Sequence, residues 1–149
     1  CEQETPELGL VGSPTDVNPE VIFTLFENDM IPVIAPLGAG NNGETLNING
    51  DTVSGAIASA LKADRLLLLT DVSGVQDKNG SIITELNSTQ IKNWINEGII
   101  SGGMIPKTET ALLALKGGVR GVVILDGRVP NACLLELFTE HGAGSLIRA

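Results

Sequence analysis

Arg65-Leu66-Leu67-Leu68-Leu69-Thr70-Asp71 is the stretch on which the fold turns. Four consecutive leucines show neither the alternation of a half-buried strand nor the spaced apolar positions of an amphipathic helix. The run is short and closes on a turn, which fits a strand buried on both faces, as in a parallel sheet. Val119 to Leu125 reads the same way. Helical patterns lie before, between and after these two runs. Asp51 to Leu61 carries apolar residues at Val53, Ile57, Ala60 and Leu61. Asn87 to Asn96 is capped by Asn87 or Ser88, Thr108 to Leu115 stops at Gly117-Gly118, and Pro130 to Phe138 follows. Strands alternating with helices imply βαβ units, hence an α/β chain with a mostly parallel sheet.

Further out the signals shorten. Residues 1–17 are rich in turn formers, with Leu8 to Val11 as a short strand. Asn18-Pro19-Glu20 opens a helix running to about Asn28, with Asn18 as cap and Pro19 at its first position. Ile31-Pro32-Val33-Ile34-Ala35 reads as a short strand ended by Pro36, and Glu44 to Ile48 as a hairpin arm. Asp77-Lys78-Asn79-Gly80 is a hairpin-type turn before Ser81 to Thr84. Gly144 to Ile147 is the last strand.

Composition narrows the function. The chain has 149 residues, one domain or a large part of one, and 42% are hydrophobic, enough for a substantial core. With no tyrosine and 3% aromatics, that core is Leu, Ile, Val and Ala. Its 18 glycines exceed the usual share of about 7% and suit many strand-to-helix turns. A net charge of −9 argues against a nucleic-acid surface, which needs a basic stripe. No run of about 18 apolar residues predicts a membrane span. Cys1 and Cys133 make no disulfide framework, so a reduced, cytoplasmic setting is expected and the sequon Asn87-Ser88-Thr89 is read as chance. The opening Cys1-Glu2-Gln3-Glu4 is the opposite of a signal peptide's basic start. Lacking a methionine, it reads as the edge of a fragment.

Three segments carry chemistry. Ser101-Gly102-Gly103-Met104-Ile105-Pro106-Lys107 sets a cation behind bare backbone at a helix start, an arrangement that favours phosphate. It is no Walker A loop, since Ser101 and Pro106 stand where glycines are needed and Pro106 removes an N–H. Asn47-Ile48-Asn49-Gly50-Asp51 places two amides on one side of an extended chain before a helix. They are suited to gripping a carboxylate or amide, or simply to capping that helix. Thr70-Asp71-Val72-Ser73-Gly74-Val75 leaves the leucine strand at its C-terminal end, where open α/β sheets bind ligands. Gly38-Ala39-Gly40-Asn41-Asn42-Gly43 fits a dinucleotide fingerprint, but extended sequence follows it, so a hairpin loop is the better reading. His141, the sole histidine, has no partner at ligand spacing, and Cys133 falls in an apolar helix pattern.

In this order, Asn47-Ile48-Asn49-Gly50-Asp51-Thr52, Leu69-Thr70-Asp71-Val72-Ser73-Gly74-Val75 and Gly102-Gly103-Met104-Ile105-Pro106-Lys107 resemble the amino-acid kinase family. Asp126-Gly127-Arg128-Val129-Pro130, running on to Leu135-Glu136-Leu137-Phe138-Thr139, extends the match. The likeness is strongest to members that phosphorylate N-acetyl-L-glutamate. It implies a three-layer α/β/α sandwich and a chain that is the second half of such an enzyme. The first half would carry glycine-rich loops, a phosphate-holding lysine and a carboxylate-binding arginine. Residues 1–64 would end the substrate lobe and residues 65–149 form the nucleotide lobe.

The resemblance also implies roles. Asn47 would bind N-acetyl-L-glutamate with Asn49 beside it. Asp51 would organise the catalytic lysines and Lys107 would stabilise the phosphoryl group in flight. Asp71, Val72, Ser73, Gly74, Val75 and Gln76, with Ile99, Ile100, Ser101 and Met104, would hold ATP, whose Mg²⁺ arrives with it. Such chemistry rests on positioning and charge stabilisation, which a locally basic site in an acidic chain can supply. Glu136 and Gly142 match the arginine-effector pattern of inhibited members, although Val123 stands where a histidine is usual. The complete enzyme is expected to be a homo-oligomer. The rival readings are an amino-acid kinase for aspartate, glutamate, carbamate or UMP, and a truncated, non-catalytic nucleotide-binding module.

Overall fold

The computed structural model describes residues 1–4 and 8–149. In chain order the elements are β1 (Glu2–Gln3), β2 (Gly12–Ser13), α1 (Glu20–Glu27), β3 (Leu37–Ala39), β4 (Thr45–Asn47) and α2 (Gly50–Leu61). Then come β5 (Leu66–Thr70), β6 (Glu85–Asn87), α3 (Ser88–Asn96), α4 (Met104–Lys116), β7 (Val122–Asp126), α5 (Ala132–Phe138) and β8 (Gly144–Arg148). Four strands form the main sheet in the order β5-β7-β8-β6. β5 pairs with β7 and β6 with β8 in parallel, while β7 and β8 run antiparallel. The sheet is therefore mixed and mostly parallel. Two small antiparallel ribbons, β1–β2 and β3–β4, stand outside it.

Every residue of β7 is buried, which makes it the spine of the molecule. Alternate side chains leave opposite faces of a strand. Val122 and Ile124 join a cluster with Ala58 of α2, Ile91 of α3 and Ala111, Ala114 and Leu115 of α4. Val123 and Leu125 meet Ala132 of α5 on the other face. Helices thus cover both faces, giving three α/β/α layers. Among the described residues, no helix is long and apolar enough to cross a membrane.

Several local expectations change. β5 is an edge strand, so burial on both faces fails: Leu66 and Leu68 are buried but Leu69 is 49% exposed. Residues 31–35 form no strand. Val33 is 97% exposed, Pro32 and Pro36 remove donors, and among the described residues no neighbouring strand offers a ladder. Residues 8–11 give only a bridge from Val11 to Asn47, the strands of this region being β1 and β2 on either side, and residues 5–7 of the turn-rich stretch 1–17 lie outside the described residues. Residues 81–84 likewise contribute one bridge, Gln76 to Ile82. α4 begins at Met104, one turn before the expected Thr108. Pro106 is its third residue, where a missing N–H leaves no hydrogen bond unmade.

Candidate nucleotide site

The turn after β5 and the loop before α4 enclose a cavity of about 400 Å³ at the C-terminal end of β5. Its walls are Thr70, Asp71, Val72, Gly74, Val75 and Gln76 on one side and Ile99, Ile100, Ser101, Gly103, Met104 and Lys107 on the other. Each wall is braced. Asp77 Oδ1 accepts from the N–H groups of Asn79 and Ser81, closing the turn beyond Gln76. Those donors hold the Asp77 carboxyl below its ordinary pKa. Opposite, Trp94 C=O accepts from both Ile99 and Ile100 N–H, pinning the loop to the end of α3. Gly102 has φ +55°, and the N–H groups of Gly102 and Gly103 carry no protein hydrogen bond among the described residues. They remain free for an anion.

Lys107 lies just past the first turn of α4 and Asp51 in the first turn of α2. Lys107 Nζ donates to Asp51 Oδ2 at 2.8 Å, and the two side chains are 20% and 25% exposed. A pair this shielded adds little net stability, because desolvation offsets most of the attraction. Its geometric effect is definite: the ammonium is fixed at the cavity wall, where two positive helix ends meet. α2 is held for this by Asn49, whose side chain accepts from the N–H groups of Asp51 and Thr52.

A second ion pair flanks the first wall. Arg128 Nε and Nη2 donate to the two carboxylate oxygens of Asp126 at 2.9 and 2.8 Å, and Arg128 N–H donates to Oδ1. This fork holds the Asp126 carboxyl down to about 2. Arg128 is pushed up by the same partner, with a smaller contribution from Asp71 of the cavity. Asp126 is the register partner of Thr70, and Gly127 N–H donates to Thr70 C=O, so the clamp grips the root of the turn. The sequence displayed this segment without revealing its task. The available signal was an Asp and an Arg two residues apart at a strand's end.

Residues 2–126 match the amino acid kinase family. The chain belongs to that family. Among curated relatives, the acetylglutamate kinase of Ruegeria pomeroyi is 68% identical over 148 residues, covering 99% of this chain and 52% of the relative. The chain thus spans about half the length of the curated relatives it matches. Among solved structures, smu.665 of Streptococcus mutans UA159 is 36% identical with a TM-score of 0.82, covering 99% of this chain and 56% of that one. The N-acetylglutamate synthase of Neisseria gonorrhoeae, complexed with coenzyme A and L-arginine, is 25% identical with a TM-score of 0.88. That match covers 95% of this chain and 33% of the synthase.

Of the positions singled out by likeness to amino acid kinases, Asp71, Val72, Gly74, Val75, Gln76, Ile99, Ile100, Ser101, Met104 and Lys107 share the one cavity, with Asp51 on Lys107. Ser73 does not line it. Asn47 sits in β4, its N–H donating to Leu10 C=O, and Asn49 is engaged as the cap of α2. Both residues are exposed while Leu46 and Ile48 are buried, as alternation predicts. Glu136 and Gly142 lie elsewhere, in a polar cavity of about 460 Å³ with Arg65, Glu85, Glu140, His141 and Arg148.

Proposed function

We propose that this chain supplies the nucleotide-binding half of an enzyme that moves the γ-phosphoryl of ATP to the side-chain carboxylate of N-acetyl-L-glutamate, a step of arginine synthesis. The observation that carries the reading is Lys107, held by Asp51 at the wall of a cavity built from two glycine-bearing loops. ATP would lie along Asp71 to Gln76, with Ile99 to Met104 over it and the N–H groups of Gly102 and Gly103 on its phosphates. Lys107 would then face the transferring group, where its charge offsets the repulsion of two anions. Asp51 keeps the ammonium oriented as that charge develops. Mg²⁺, when bound, screens the phosphate oxygens. In this reading the ion arrives with the nucleotide. Asn47 would meet the acetylated substrate from residues 1–64, the substrate side of the molecule.

The test joins the chain to the N-terminal portion of its Ruegeria pomeroyi relative. The fusion should phosphorylate N-acetyl-L-glutamate, and Lys107→Ala in it should lower kcat by about 100-fold or more, as loss of a transition-state contact does. Near-normal kcat in that variant would remove Lys107 from the chemistry. The chain alone should bind Mg-ATP weakly and turn over negligibly. A phosphate-release assay with aspartate, glutamate, carbamate and UMP separates the rival acceptors, and nucleotide binding without turnover in the fusion would favour a non-catalytic module.

A regulatory reading has its own support. Glu136 Oε2 accepts from Ala143 N–H at 2.7 Å, and a Cβ at Gly142 (φ +65°) would fall 2.6 Å from that oxygen. Glu136 and Glu140 of that polar cavity are the carboxylates a guanidinium would meet. Arginine would bind there, and an unchanged melting temperature in millimolar arginine would dismiss the idea.

A further inference from the structure

Ser145, the second residue of β8, is wholly buried and far from the cavity in sequence. Its hydroxyl nevertheless closes a small ring with the cavity wall. Val75 N–H donates to Ser145 Oγ at 2.8 Å, Ser145 O–H donates to Ile83 C=O at 2.5 Å, and Ile83 N–H donates to Val75 C=O at 2.9 Å. One hydroxyl thus satisfies the buried Val75 donor, which would be costly to leave without a partner, and the half-buried Ile83 acceptor. The adjoining Gly74 is shaped around it. Its φ is +147°, and a Cβ there would come within 2.5 Å of Ser145 Oγ.

We propose that Ser145 is a positioning residue for nucleotide, acting through Val75 by latching the Asp71–Gln76 turn to the sheet. The inference rests on the nucleotide reading of the cavity. Asp126 and Arg128 hold the root of the turn and Asp77 closes its far side. Ser145 fixes the middle, where Gly74 and Val75 face the ligand space. With the latch released, the sheet stays whole while the cavity wall drifts, so the effect falls on nucleotide affinity.

The experiment uses the 149-residue chain and two readouts, amide hydrogen exchange and titration with a fluorescent ATP analogue in Mg²⁺. In the unmutated chain the Val75 amide should exchange at least about tenfold more slowly than an open amide, as its buried hydrogen bond requires. Ser145→Ala should speed Val75 exchange and weaken analogue binding, each about tenfold, while Ile124 exchange in β7 stays unchanged. Ser145→Thr keeps the hydroxyl and should restore affinity to within about twofold of the original. Fast Val75 exchange in the unmutated chain overturns the latch even if Ser145→Ala cannot fold, and so does unchanged affinity in Ser145→Ala. A protected Val75 in a chain that binds no analogue would instead sink the nucleotide reading, and with it the positioning role.

Discussion

Leu66–Thr70 and residues 31–35 are both short apolar runs, yet only the first is a strand. The leucines pair along their whole length with β7 and send Leu66 and Leu68 into the helix-covered cluster. Among the described residues, 31–35 find no ladder; they have two prolines in or beside them and mostly exposed side chains, with Ile31 90% exposed. The difference lies in the partner, since a strand gains its hydrogen bonds and most of its burial from a neighbour. The same contrast separates the two groups of candidate residues. Those on the turn after β5 and on the loop into α4 converge on one cavity, and Asn47 of the small β3–β4 ribbon and Asn49 just beyond it do not line it.

The contrast can be attacked at several strengths. Ile124→Ala, in the middle of the buried spine, should cost about 3 kcal/mol in urea unfolding, as a large-to-small core change does. A loss below about 1 kcal/mol would mean that β7 does not organise the core. Asn49→Ala removes the cap that joins the ribbon to α2 and should cost about 1 kcal/mol. If Asn49 serves only as a cap, Mg-ATP affinity should follow the fraction folded and nothing more. Acid tests the end of β7. Asp126 has its pKa lowered from 3.8 to about 2 by Arg128, so the stability it lends is present above 3.8 and lost as pH falls through about 2. Asp126→Asn should flatten the pH dependence of the urea midpoint in that window, and an unchanged slope would exclude the clamp. Val33→Ser should alter stability by less than about 0.5 kcal/mol in this chain, and a larger loss would reveal a partner for residues 31–35.

Much of this was readable from residue order. The leucine run and Val119–Leu125 announced a parallel pair, Asn87 announced the cap of α3, and Asp77-Lys78-Asn79-Gly80 announced its turn. Each of these signals is local, written within a few residues of the structure it produces. Four leucines do not disclose that β5 is an edge strand, because that depends on what lies beyond it. The pairing of Lys107 with Asp51 came from family likeness, since 56 residues separate them. Ser145 gave the faintest sign, a hydroxyl in an apolar strand, and its meaning depends on a donor 70 residues earlier.

The reversed direction of β8 has a consequence for the order in which the molecule can be made. β8 lies between β7 and β6, so β6 joins the sheet only through a strand that follows it by more than half a hundred residues. In synthesis the Asp71–Gln76 turn emerges ahead of its latch, since Ser145 follows Val75 by 70 residues. A nascent chain lacking β8 would hold the parallel β5–β7 pair and the Lys107 helix, with a loose cavity wall and nothing to dock β6. The cavity wall therefore waits on β8, and tight ligand binding should arise only once that strand has joined the sheet.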